Sequence, residues 1–399
     1  MTTLRKTTYL LLAILAIFVL PWVGASIQYQ DQFPPDFFAY PMLSSPQQEA
    51  FSWPIFLLFA GLSVAVIVLY LFPRLFGFRA VPQPDYRPAK RVGFPLWFWL
   101  GLVSWGGVAV LLWTKATGPA WLLHWSDMPL FWGFALMIDG WVYVRQEGRS
   151  LISRVPQEVI GIGVSSVMGW MLFEYLNFFV EDNWFYPKGD IIDREEFLLY
   201  AAVISSGLLP LAFEWYSLFK SIPALRERFS LGPKIVLPEW LKTTALWLSV
   251  VLLVLAGLFP AQLFFTLWLT PAILLATVLD KIGVWTPLRP IGQGNWTPAL
   301  LIALSYLIEG FFIEGQNYFS ATHGPNREIL YTMAPAYWQY NLPYVNAYHL
   351  FEMPLIGYSG YLPFGVYCWL WWIAFATLQG IPSRFFQEAP FQPHKPEPA

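Results

Sequence analysis

Two pairs of polar residues recur in the chain at the same spacing: Glu174 with Asn177, and Glu314 with Asn317. Residues three apart on a helix share a face, so each amide stands beside a carboxyl that it can orient. A Trp-x-Tyr follows each pair, Trp184 and Tyr186 in the first case and Trp338 and Tyr340 in the second. Glu309 adds a third carboxyl close before Glu314. A carboxylic acid kept dry can protonate an alkene or a leaving group, and aromatic faces stabilise the cation that develops. Glu174, Glu314 and Glu309 are therefore candidate acids, with Asn177 and Asn317 orienting them. Trp184, Tyr186, Trp338 and Tyr340 are the candidate substrate-binding wall. The same residue types have plainer uses. Carboxyl–amide pairs hydrogen-bond helices together within membranes, and Trp and Tyr fill interfacial belts.

A second group lies in His349-Leu-Phe-Glu352-Met-Pro354, followed by Gly357-Tyr358. Glu352 and Tyr358 join the candidate substrate-binding residues. His124, His323, His349 and Asp127 are expected on the same side, which invites a metal site, but their spacing matches no metal motif. The plainer reading is loop hydrogen bonding, and no metal or cofactor is assigned. Asp139, with Arg145 and Arg149 nearby, and Asp280, beside Lys281, read as interface ion pairs. Glu214 is expected at an inner helix end. The single cysteine, Cys368, excludes an intramolecular disulfide and any cysteine-rich cluster. No histidine falls inside a predicted span, which argues against haem held between helices.

The elements that position these residues follow from the solvent they need. The chain is 57% hydrophobic and 12% charged, about half the charge of a soluble domain. Apolar runs long enough to cross about 30 Å of hydrocarbon recur along it. They predict an all-α, polytopic helical bundle with spans near 8–25, 52–73, 94–114, 128–144, 158–179, 197–218, 240–258, 261–280, 297–316 and 355–378. With ten spans, 19 of the 23 Lys and Arg residues fall on one side, leaving only Lys115, Lys188, Arg194 and Arg327 opposite. By the positive-inside rule both termini are cytoplasmic, and the expected location is the inner (cytoplasmic) membrane. Arg5 and Lys6 before an apolar run ending at Gly24-Ala25-Ser26 also fit a signal peptide; the length of the run favours a retained helix. No basic stripe points to nucleic acid. The 22 Trp residues exceed what belts require and suggest an aromatic core.

The order Pro129, Asp139, Glu174/Asn177, Trp184/Tyr186, Leu209-Pro210 is repeated by Pro271, Asp280, Glu314/Asn317, Trp338/Tyr340, Leu362-Pro363. The offset is four helices, an even number, so the halves keep one orientation and are expected to be parallel. The reading divides the chain into a two-helix addition (1–80), repeat 1 (81–230), repeat 2 (231–380, with an outer cap at 317–354) and a disordered tail (381–399). The Gly and Pro residues entering the last span mark a bend that neighbours or a cavity must satisfy.

Acidic residues on a small, Trp- and Tyr-rich membrane fold resemble, in style, the integral lycopene cyclase and carotenoid hydratase families, without the Pro-x-Glu-Glu of the former. The set Glu-x-x-Asn, Trp-x-Tyr and Phe351-Glu352-Met353-Pro354-x-x-Gly357-Tyr358 resembles, over about 125–378, a bacterial family of Trp-rich membrane proteins that brings no known activity. The first resemblance implies acid-catalysed cyclisation, hydration or isomerisation of an isoprenoid or other lipid. Two other classes stay open: a transporter or channel, and a scaffold subunit holding lipid, quinone or pigment. The expected ligand is a lipid or isoprenoid in the bilayer; protein partners are unspecified.

Overall fold

A computed structural model describes residues 3–46, 49–79, 91–180 and 183–386. The expected boundary at 80/81 and the tail beyond 386 lie outside them. The principal helices are α1 (Thr3–Gln28), α2 (Trp53–Leu71), α3 (Leu96–Trp113), α4 (Asp127–Arg145), α5 (Pro156–Asn177), α6 (Arg194–Ser205), α7 (Leu208–Lys220), α8 (Glu239–Leu258), α9 (Thr266–Lys281), α10 (Thr297–Ser320) and α11 (Gly357–Gln379). A helix stands at each of the ten predicted spans, α6 and α7 sharing one. Eight segments among the described residues are long and apolar enough to cross a membrane. The chain is thus an all-α, multi-pass membrane protein. The two helices outside the eight are α4 and α9, the latter only 16 residues long.

Local chemistry sets several ends. Proline occupies the first turn of α2, α5 and α10, where its missing N–H costs nothing and its fixed φ suits a helix. Asp193 caps α6 by accepting from Glu196 N at 2.8 Å. Gly380 ends α11 in the left-handed region, φ 65°, which a residue without Cβ adopts cheaply.

Packing divides the bundle into two groups. In the first, α3 lies on α4, and α4 and α5 lie on α7; in the second, α8 lies on α9, and α9 and α10 lie on α11. The groups meet where α7 packs on α10 and α11 packs on α5. Tyr216 of α7 meets Trp369 of α11 edge to face at 4.7 Å, and Phe213 stacks on Trp369 at 3.8 Å. Trp369, Trp371 and Trp372 are buried, so part of the Trp excess is core, while Trp99, Trp240 and Trp247 remain on the outside. Helix α1 docks on α8 with Leu10 and Ile17 fully buried. A Cβ on Gly24 would lie 1.9 Å from the Val254 carbonyl, and one on Gly257 would lie 1.9 Å from that of Pro21. Small residues permit this approach, the usual way helices associate in lipid. Helix α2 buries no residue and is held near its ends, by Ser52 N on Tyr344 O at 2.9 Å and Tyr70 OH on Leu300 O at 2.7 Å.

Segment 317–354 begins with the last turn of α10 and continues through short strands. It carries the hairpin β2 (Ala321–His323) and β3 (Ile329–Thr332) and the pair β5 (His349–Leu350) and β6 (Met353–Pro354). It also supplies β4 (Gln339–Tyr340), which pairs antiparallel with β1 (Trp184–Phe185) of the other group. The disordered-tail expectation needs correcting at its start: Phe385 is buried, edge to face with Phe213 at 4.7 Å. An aromatic ring there completes the Phe213–Trp369 stack.

Candidate functional site

Glu174 sits near the end of α5 and is buried. The Trp184 indole donates to its Oε1 at 3.3 Å, and the Tyr186 hydroxyl donates to the same oxygen. Asn177, one turn on, donates through Nδ2 to the Trp184 carbonyl at 2.8 Å. The second group repeats each contact. Trp338 Nε1 donates to Glu314 Oε1 at 3.4 Å and Tyr340 OH at 2.6 Å, while Asn317 Nδ2 donates to the Trp338 carbonyl at 2.8 Å. The helix thus presents a carboxyl that takes both side chains of a Trp-x-Tyr and an amide that holds its backbone. Burial, reinforced by Glu174, holds the Tyr186 phenol well above its ordinary range, and burial with Glu314 does the same to Tyr340. Both phenols keep their protons and remain donors.

The two Trp-x-Tyr segments also pair with each other. Trp184 faces Tyr340 and Phe185 faces Gln339. Asn183 extends the ladder, its carbonyl accepting from Asn341 N at 2.8 Å.

Beneath this ladder, a cavity of about 470 Å³ lies between the groups, within the roughly 300–1,000 Å³ usual for small-molecule sites. Trp184, Tyr186, Trp338 and Tyr340 line it, together with Trp170, Phe173, Trp268, Phe364 and residues of α2. Glu309 lines it as well, buried, with Oε2 lacking a hydrogen-bond partner among the described residues. The structure therefore sorts the candidates. Glu309 and the four Trp-x-Tyr aromatics form the wall. Glu174, Glu314, Asn177 and Asn317 stand behind it and position the rings, because the indole and phenol donors draw each carboxyl away from the cavity.

Two of the expected substrate-binding residues lie outside the cavity wall. Tyr358 does not line the cavity; its hydroxyl donates to the Leu350 carbonyl at 3.1 Å. Glu352 does not line it either. It accepts from Tyr337 OH at 2.6 Å and Gln339 Nε2 at 3.3 Å, and pairs with His323 Nε2 at 2.9 Å. That cluster closes the cap from within. His349 turns instead to Asn346, at 3.0 Å, and among the described residues no group of three or more His, Cys, Asp or Glu is placed to hold a metal. Asp139 is fully buried and accepts from Trp97 Nε1 at 3.1 Å and Ile152 N at 2.9 Å, with Glu214 hydrogen-bonded beside it. Its expected partner Arg145 bonds Ser221 at 2.7 Å instead. Asp280 pairs with Lys242 at 2.7 Å rather than with Lys281.

Other site residues escape a sequence reading. Tyr361 donates to Glu314 Oε1 at 2.8 Å and lines the cavity; its place in Gly-Tyr-Leu-Pro after a bend was the available signal. Tyr40 and Asn183 reach the wall from loops; Asn183 directly precedes the Trp184-x-Tyr186 segment, whereas nothing in the sequence around Tyr40 marks it.

No family model, no curated protein and no solved structure matches the chain. What fold and site define is a class: a Trp-rich, multi-pass α-helical membrane protein with a mostly apolar, aromatic-walled cavity and, among the described residues, one carboxyl in its wall.

Proposed function

We propose that the chain crosses the membrane ten times with both termini cytoplasmic, as two parallel four-helix units (81–230 and 231–380) after a two-helix addition. The cavity between the units binds an isoprenoid or comparably apolar lipid, and Glu309 acts on it as an acid. The duplication is supported by the matched contacts of Glu174 and Glu314, by the antiparallel meeting of the two Trp-x-Tyr segments, and by helix contacts that exchange under a two-fold: α7 on α10 answers α11 on α5. The ten-span topology rests on the segregation of Lys and Arg.

The observation that carries the functional reading is Glu309 in a mostly apolar cavity, with Oε2 lacking a hydrogen-bond partner among the described residues. A protonated carboxyl has one O–H to donate. Transfer of that proton to a carbon of a C=C forms a C–H bond from the π pair, leaving a carbocation next to it and a carboxylate on Glu309. A second C=C can close on the cation, which moves the positive charge to another carbon; loss of a proton from a carbon next to the cation to the Glu309 carboxylate then forms a C=C, restores the acid and gives an isomer of the substrate. Trp170, Trp184 and Trp268 supply the aromatic faces that favour a cation.

Mass spectrometry of lipids retained by the full chain after gentle detergent extraction tests this. The expected result is an isoprenoid in near-stoichiometric amount, with Glu309→Gln retaining an unconverted isomer of what the wild type holds. Only bulk phospholipid in both, or the same isoprenoid in both, would overturn it.

A further inference from the structure

The wall of the cavity contains no Lys, Arg or His among the described residues. A phosphate or carboxylate headgroup buried there would have no cation to meet it, and an unpaired buried charge costs many kcal/mol. The wall does contain Asn183, which is 1% exposed and has neither its amide oxygen nor its amide nitrogen hydrogen-bonded among the described residues. Buried polar side chains almost always have partners. The equivalent residue before the other Trp-x-Tyr, Tyr337, has them, in Glu352 and His323. Tyr40 brings to the same wall a buried hydroxyl that has no hydrogen-bond partner among the described residues.

Resting on the lipid-binding reading above, we propose that Asn183 is a ligand-binding residue and that the occupant is an uncharged isoprenoid lipid with one hydrogen-bonding end, an alcohol or a ketone. The amide nitrogen donates to the oxygen of that end, and the amide oxygen accepts from a hydroxyl where there is one. The apolar chain fills the remaining volume between the aromatic rings. A hydrocarbon leaves Asn183 unsatisfied, and a diphosphate brings charge that nothing in the wall neutralises.

Three probes of equal chain length separate these cases: geranylgeraniol, geranylgeranyl diphosphate and the corresponding C20 hydrocarbon. Each is titrated into the full chain in phosphatidylcholine nanodiscs while the fluorescence of the wall tryptophans is followed. The alcohol is expected to bind about tenfold more tightly than the hydrocarbon, the size of one well-made hydrogen bond. The diphosphate is expected to bind no better than the hydrocarbon. Asn183→Ala should bring the alcohol down to the level of the hydrocarbon and leave the hydrocarbon unchanged; if that variant does not fold, the wild-type ranking alone decides. Equal binding of alcohol and hydrocarbon, tighter binding of the diphosphate, or a folded Asn183→Ala with full preference for the alcohol overturns the proposal while the lipid-binding reading stands. Binding of none of the three overturns that reading as well.

Discussion

Trp184 and Tyr340 lie opposite each other in the short ladder that joins the two helix groups, and each is anchored by a carboxyl from its own group. Glu174 holds the indole of Trp184, and Glu314 holds the phenol of Tyr340. The arrangement fixes the aromatic roof of the cavity from both sides at once, so the rings are rigid where a ligand would touch them.

Removing either anchor strands buried donors. Glu314→Ala leaves Tyr340, Tyr361 and Trp338 without an acceptor, and unsatisfied buried groups cost about 1–3 kcal/mol each. We expect a loss of roughly 2–4 kcal/mol after partial relaxation, read as a lower midpoint in thermal unfolding followed by Trp fluorescence in detergent. Glu314→Gln keeps an accepting oxygen and should lose under about 1 kcal/mol. A large loss on Glu314→Gln would show that the carboxylic acid itself, not its acceptor geometry, is required.

Asn317 holds Trp338 by two backbone bonds, Nδ2 to its carbonyl at 2.8 Å and Oδ1 from its N–H at 3.1 Å. Asn317→Ala is expected to loosen the Trp-x-Tyr while leaving the helices in place. Far-UV circular dichroism should be unchanged, while the near-UV aromatic signal falls and ligand affinity drops. An unaltered near-UV spectrum would contradict the positioning role.

The α1–α8 crossing depends on glycine. Gly257→Ala introduces a methyl where the Pro21 carbonyl already lies, so α1 must move away and its packing is lost. A midpoint several degrees lower is expected. In contrast, Gly61 in α2 has nothing within 4 Å of an added Cβ, and Gly61→Ala should be neutral or slightly stabilising, by up to about 1 kcal/mol. Equal effects of the two would refute the close crossing.

The cap should loosen on mild acidification. Burial holds His323 below its ordinary value against the pull of Glu352, with Arg327 and Lys115 lowering it further; Tyr318 stacks on its ring at 4.2 Å and Tyr337 hydrogen-bonds it. His349 is lowered too, by burial and by Arg327 against Glu352. A histidine lowered on folding binds protons more readily when its segment is unfolded. Above about pH 6.5 neither state is protonated and the histidine has no effect on the pH dependence. Below that value the unfolded segment takes up protons first, so stability falls with pH until the folded value is passed. Amide exchange across 317–354 at pH 7.5 and pH 5.5 should show faster opening at the lower pH, and His323→Gln with His349→Gln should flatten the difference. Protection that rises on acidification would reverse the sign and contradict the account.

Much of this protein was written in its sequence. Apolar run length decides where helices form, because an unpaired backbone in lipid is too costly to leave open. The spacing of Glu174 to Asn177 and of Glu314 to Asn317 placed each pair on one helix face, and Trp-x-Tyr marked the segments that they hold. Spacing along a chain cannot say which side of a wall a side chain ends on. Tertiary packing turned Glu174 and Glu314 toward indole and phenol donors and left Glu309 at the cavity. It sent Glu352 and Tyr358 into the cap and paired Asp139 with Trp97 and Glu214. It also brought Asn183, the residue before Trp184, into the cavity wall with its side-chain amide lacking a partner among the described residues. Hydrogen-bond satisfaction is settled between elements distant in sequence, so only the folded chain could decide which polar groups are spent on structure and which stay unsatisfied at the cavity.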